Sequence, residues 1–392
     1  MKIPRKLTCF GFLAMLPLSL SAETFDITRF GATANDETDD TKAIEQALEA
    51  CGKAGGGSVF VPAGVFLLSR HGAESPILEV PPKTTFHGEG PASTLKFTAA
   101  ANEGNFWRMI GAPVATGTHD VVIRDLHLDG ANSFPAYIKG ETPEHNAGIW
   151  FYNTEHAIEN ILIQNVFAEN FAGDCLSVSR GCRAITIRDC TVKNFIRQGI
   201  QMGGDENARD YLVTGCRDLE HTVKPGGSTL HVEHARGLKN VILENNQCRK
   251  SILAGGVDGL IIRGNTIDGR LVGNGNLNQV VEGNLIRADE KAASVVQLGY
   301  AEGLIFRGNV IEGKHPANKV GLYIWGTSRY NSQASENLVI AENHITAAET
   351  AISLNGTNHS TVANNQLTFP KDAAKSVPLL IKRSEDITSD ID

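Results

Sequence analysis

The chain has 392 residues, 41% of them hydrophobic, with a formal charge of −8 and seven cysteines. The acidic balance argues against nucleic acid as a partner, and past the N-terminus no apolar stretch approaches the roughly 20 residues of a membrane-spanning helix. Length alone would suit one large domain or two ordinary ones.

Residues 1–21 read as a secretory signal. Lys2, Arg5 and Lys6 precede an apolar run from Leu7 to Leu18, and Ser19 and Ser21 supply small residues for cleavage. Its removal takes three positive charges and Cys9, leaving about −11 and six cysteines. The mature protein is expected to be periplasmic or secreted, with no membrane anchor.

Asp39 or Asp40 can then cap a helix whose apolar positions Ala43, Ile44, Ala47, Leu48 and Cys51 follow helical spacing. Gly55, Gly56 and Gly57 end it. Val59, Val61, Val65 and Leu67 begin the strands around a Pro62-Ala63-Gly64 turn.

Further on, a short apolar stretch ending in asparagine returns as LENNQC, IRGNTI, VEGNLI, FRGNVI, IAENHI and VANNQL. Asn246, Asn265, Asn284, Asn309, Asn343 and Asn365 are thereby in register, at separations of 19, 19, 25, 34 and 22 residues. A unit this short cannot bury its apolar side alone and must stack on its neighbours. Asparagine suits a repeated corner because it tolerates left-handed backbone and can bond to the asparagine of the next coil. The same strand occurs earlier without asparagine, from Ile123, Ile163, Ile187 and Val213; there Cys190 and Cys216 take its place, either as stacked small side chains or as a disulfide. The expected fold is all-β: a single-stranded right-handed parallel β-helix (β-solenoid) over 22–370, with an N-terminal capping α-helix and a C-terminal tail or cap over 371–392.

FGATANDETDDTKAIEQALEAC followed by GGGSVFVPAGVF resembles the N-terminal signature of the pectate lyase-like, right-handed parallel β-helix superfamily, which includes polygalacturonases, rhamnogalacturonases and alginate epimerases. The resemblance implies the fold and a polysaccharide or oligosaccharide substrate. It leaves the reaction open, because one scaffold hosts several chemistries. DCLSVSRGCRAITIRDC is similar to a polygalacturonase segment, but Gly173 stands where that family has the first of two aspartates. The family's NTD, histidine-glycine and RIK segments are missing, as is the aspartate-proline-histidine segment of the epimerases.

Each coil carries a second strand, in which Ile149, Leu176, Ile200, Leu230, Val296, Leu322 and Ile352 align as interior residues. Alternation then sends two columns outward. One reads Trp150, Ser177, Gln201, His231, Ala254, Val272, Gln297, Tyr323 and Ser353. The other reads Tyr152, Ser179, Gly203, Glu233, Gly256, Asn274, Gly299, Trp325 and Asn355. Insertions from Gly130 to Ala147 and from Asp218 to Ser228 would wall a groove over these columns.

His231 and Glu233, two apart, should point the same way as a base with its orienting carboxylate, while His234 should face inward. Asp174 and Arg197 open the flanking strands and complete the catalytic candidates. Asp174 could act on a glycosidic bond or help hold a cation such as calcium, and Arg197 or Lys224 could neutralise a uronate carboxylate. Trp150, Tyr152, Ser177, Gln201, Lys224, Tyr323 and Trp325 are the candidate substrate-binding residues, with the rings stacking on sugar faces. These residues suit a lyase acting on an acidic polysaccharide by β-elimination. The alternatives are a polygalacturonase-like hydrolase, a uronate epimerase and a non-catalytic carbohydrate-binding β-helix. Asp174 with Glu233 is the one carboxylate pair available for inverting hydrolysis.

Overall fold

The computed structural model describes residues 23–70, 76–98, 104, 106–233, 235, 237–289, 291–326, 333–371, 373 and 376–391. The signal reading and the inward placement of His234 therefore fall outside the described residues.

The strands form two long parallel sheets wound as one coil. The twelve-stranded sheet runs from Leu78–Glu79 through Ala147–Phe151, Leu176–Val178, Ile200–Met202, Leu230–Val232 and Ile252–Gly255 to Val377–Lys382. The other sheet carries the longer strands, such as Thr118–Asp129 and Ile158–Glu169, paired along most of their length. Parallel pairing sets each coil about 4.8 Å from the next. Inward side chains thus stack in columns: Ile149, Leu176, Ile200, Leu230, Ile252, Leu271, Val296, Leu322 and Ile352 form one, all fully buried. Each such side chain contributes roughly 1.5–3 kcal/mol on burial.

The first helix is Thr41–Lys53, and it lays Ala43, Ile44, Ala47, Leu48 and Cys51 against the earliest strands. The two aspartates before it divide the work. Asp39 accepts the Thr41 N–H at 3.0 Å, whereas buried Asp40 accepts from Thr33 N at 2.8 Å and Leu67 N at 2.9 Å, tying the helix to the first coil.

The asparagine ladder is buried from Asn246 to Asn343, and its amides bond from coil to coil. Asn284 donates from its backbone N and its Nδ2 to Asn309 Oδ1 at 3.0 and 2.9 Å, and from Nδ2 to the Ile262 carbonyl at 2.9 Å; Asn265 donates to Asn284 in the same way. The expected left-handed backbone belongs one residue earlier. Asn245 (φ 56°), Gly264 (φ 62°), Gly283 (φ 62°) and Gly308 (φ 61°) turn the chain, so that the next asparagine points inward. Cys190 and Cys216 continue the stack as free buried thiols, donating to the Ile163 and Ile187 carbonyls at 3.7 and 3.8 Å, so the disulfide alternative is set aside.

Two further readings change. His231 pairs with Leu253, not Ala254, and Gly255, not Gly256, pairs with Asn274; Ala254 is buried. The cause is a pair of adjacent apolar residues, of which Ile252 takes the interior position and Leu253 the outward one. The stack also runs past residue 370, since Val377–Lys382 pairs with Thr350–Asn355 and Glu385–Ser389 pairs with Thr357–Ala363.

The ladder yields a direct test. Asn284→Ala strands the Asn265 donors and the Ile262 carbonyl in a dry interior, and should cost roughly 3–6 kcal/mol in chemical denaturation. Asn278→Gly, on the exposed turn where Asn278 bonds Asp258 at 2.7 Å and already has φ 50°, should change stability by about 0.5 kcal/mol or less.

Candidate functional site

Parallel register brings residues far apart in sequence into one row. Trp150 pairs with Ser177, Ser177 with Gln201, and Gln201 with His231, as the outward column requires. Tyr152, Ser179, Gly203 and Glu233 lie two positions further on. A cleft of about 270 Å³ opens here, lined by His145, Trp150, Tyr152, Ser179, Arg180, Arg197, Gln201 and Glu233 among others. His231 borders a shallower trough of about 200 Å³ with Leu253 and Val272.

Facing outward does not guarantee access. Ser177 is fully buried, and its hydroxyl donates to Gln201 Oε1, so the expected sugar contact from Ser177 is withdrawn. Gln201 also holds the Met202 carbonyl at 3.3 Å, and its side chain lines the cleft from a nearly covered position.

The ionic centre is a clamp. Arg197 Nη1 donates to both oxygens of Asp174, at 3.0 and 2.7 Å, and Nη2 donates to Glu233 Oε1. Glu233 Oε2 lies 3.9 Å from His231 Nε2. Asp174 has no accessible surface, so it cannot touch a glycosidic oxygen, and its link to the cleft runs through Arg197. Burial pushes the Asp174 carboxyl up to about 7, against the pull of Arg197. The neighbouring carboxylates raise Arg197, although burial opposes this.

One wall is aromatic. The Arg108 guanidinium lies 3.8 Å from the centre of the Trp150 ring and 5.6 Å from those of Tyr152 and Phe106. Burial lowers Arg108 to about 10, which leaves it cationic at neutral pH. His145 stacks on Phe106 at 4.7 Å, and burial lowers its pKa. Trp150 Nε1 donates to Ser179 Oγ at 3.3 Å, which fixes the ring edge.

The two insertions meet. Ala136 pairs with Lys224, and Lys224 N donates to the Pro135 carbonyl at 2.8 Å. The Lys224 side chain is exposed and lines neither the cleft nor the trough. His221 is structural: its Nδ1 accepts from Asn194 N at 3.0 Å, and its Nε2 meets the buried Asp218 at 2.9 Å. Tyr323 and Trp325 stand apart. Tyr323 lies four coil spacings from His231, about 19 Å, and Trp325 packs edge-on against Tyr300 at 4.5 Å.

No three His, Cys, Asp or Glu side chains converge on a cation position among the described residues. Both Asp174 oxygens and Glu233 Oε1 face the Arg197 guanidinium.

Sequence reasoning missed Arg108 and Arg180. Arg108 pairs with Ala147 and shares the strand parity of Ile110, which stacks on the interior Ile149, so alternation along WRMIGA points it inward and gives no signal for it. Arg180 directly follows the outward Ser179.

A carboxyl whose folded pKa stands above its ordinary 3.8 holds its proton more tightly in the native state. The stability this supplies is complete below pH 3.8 and fades as pH rises through about 7. Melting temperatures of wild type and Asp174→Asn across this window should therefore shift steadily in favour of the variant as pH increases. The opposite trend would mean that the Arg197 pairing outweighs burial.

A family model described as rhamnogalacturonase A/epimerase, pectate lyase-like, matches residues 24–219, half of the chain, and one described as a right-handed β-helix region matches 147–337. Alginate lyase 7 of Azotobacter vinelandii is 32% identical over 107 residues, covering 27% of this chain and 12% of that protein. The A-module of the mannuronan C-5 epimerase AlgE4 from Azotobacter vinelandii superposes with a TM-score of 0.63 at 17% identity, covering 92% of this chain and 97% of the module. Gene product 12 of bacteriophage phi29 gives 0.68 at 17% identity, covering 87% of this chain and 49% of that one. Structural likeness at such identity shows the shared fold and no more. The family match, with the parallel coil it predicts, establishes that this chain belongs to the rhamnogalacturonase A/epimerase, pectate lyase-like family.

Proposed function

We propose that this protein is an exported polysaccharide-active enzyme that cleaves a uronate-containing polymer by β-elimination. The observation that carries this reading is His231 beside Glu233, with Glu233 fixed by the Arg197 clamp, at the edge of an aromatic-walled cleft. In such a reaction His231 takes the proton α to the sugar carboxyl group. The released electron pair forms the ring double bond, the bond to the glycosidic oxygen breaks, and the proton passes to the departing oxygen. Glu233 orients the imidazole and stabilises its cationic form.

Two observations weigh against inverting hydrolysis. Asp174 and Glu233, the available carboxylate pair, share one guanidinium, and Asp174 is sealed from substrate. At Gly173, where polygalacturonases carry an aspartate, a Cβ atom would lie 2.5 Å from the Glu144 carbonyl and 2.6 Å from that of Asn146, so the chain has no room for a side chain. Epimerisation is the second reading. A mannuronan C5-epimerase of Azotobacter vinelandii, AlgE3, is 25% identical over 230 residues, and inversion at the uronate carbon begins with the same proton removal.

Incubation with polygalacturonate, alginate and related polyuronates should produce ultraviolet absorbance from unsaturated ends, and His231→Ala should reduce it by roughly 100- to 10,000-fold. Inverted sugars without chain cleavage would identify an epimerase. New reducing ends without unsaturation would identify a hydrolase, and unchanged turnover by His231→Ala would remove the base assignment.

A further inference from the structure

A polyuronate presents a carboxylate on every unit, so a cleft that selects it over a neutral polymer needs a cation facing the sugar. Arg197, the expected candidate, is committed elsewhere: its guanidinium donates to Asp174 twice and to Glu233 once. Lys224 lines neither the cleft nor the trough. Arg108 lies against the Trp150 ring and does not line the cleft.

Arg180 differs from all three. It stands on the cleft wall beside Ser179 and in the same lining as Tyr152, and its side chain is exposed. Its backbone is fixed, since its carbonyl accepts the Asn153 N–H at 3.1 Å. Among the described residues its guanidinium has no carboxylate partner. An uncommitted guanidinium presents a planar fork of donors that matches a carboxylate and no neutral hydroxymethyl group. We propose that Arg180 is the specificity residue of this cleft, binding the carboxylate of the uronate unit that stacks against Trp150 and Tyr152. This inference rests on the uronate-lyase reading and names the group that enforces its substrate class.

The test compares wild type, Arg180→Gln and Arg180→Lys on the polyuronate that wild type degrades, and on the same polymer after reduction of its carboxyl groups. Binding is followed by calorimetry and turnover by unsaturated product. Arg180→Gln should lose roughly 10- to 100-fold in affinity for the polyuronate, and Arg180→Lys should fall between it and wild type. Neither variant should bind the reduced polymer differently from wild type. Equal losses on both polymers, or no loss on either, would overturn the Arg180 assignment while leaving the elimination reading intact. A wild type that binds the reduced polymer as well as the polyuronate, and releases no unsaturated product, would overturn both. Because Arg180 is exposed and its side chain supports no other residue, both variants should keep the wild-type melting temperature.

Discussion

The hydrogen-bonded stacking of one coil on the next governs everything else in this molecule. Each parallel pair fixes a residue's neighbours above and below, at about 4.8 Å, and alternation fixes whether it faces core or solvent. The consequence is long-range order from short-range rules. Asp174, Arg197 and Glu233 meet in one ion cluster although 23 and 36 residues separate the arginine from its two partners. No helix packing or domain closure is required to bring them together, only the correct number of residues per turn of the coil.

That rule explains what could be read in the sequence. The row Trp150, Ser177, Gln201, His231 was legible because each lies between two apolar interior residues of its strand: Ile149 and Phe151, Leu176 and Val178, Ile200 and Met202, Leu230 and Val232. Where two apolar residues adjoin, as at Ile252 and Leu253, the pattern has two solutions and the reading slipped by one. The asparagine ladder was legible as a stack and misread at its corner, because a left-handed turn and an inward amide sit on adjacent residues and both favour asparagine. Asn245-Asn246 carries both roles side by side. Burial of Ser177 was not legible at all. It depends on what lies above the sheet face, and periodicity within the strand holds no information about that.

The clamp shows how burial and pairing compete. Taking an ionised carboxylate fully out of water is unfavourable by several kcal/mol, and its partner repays this only with good geometry. Asp174 has such geometry, with two bonds to one guanidinium nitrogen, yet desolvation still dominates its titration. The other end of the clamp differs, because Glu233 retains 22% side-chain exposure beside His231. Arg197 therefore links a sealed anchor to an accessible working group. A fixed charge behind Glu233 restrains the carboxylate beside the His231 imidazole, and in the proposed elimination the base would thereby be positioned from a buried site.

A coil of this kind tolerates insertions because each loop leaves the stack outward without disturbing the pairing. Chemistry can then change while the core does not. In this chain the segments around Ala136 and Lys224 pair with each other, and the second closes so tightly on the coil that a Cβ at Gly227 would lie 2.2 Å from the Arg197 carbonyl. Gly173 is under the same constraint from the Glu144 and Asn146 carbonyls. A return to the polygalacturonase aspartate at that position would require the first insertion to withdraw, and with it the wall that carries His145 against Phe106. The bare backbone at Gly173 and the wall above it are thus one structural constraint. Family membership fixes the scaffold, while the residues that line the cleft, and not the coil beneath them, are where one reaction can differ from another.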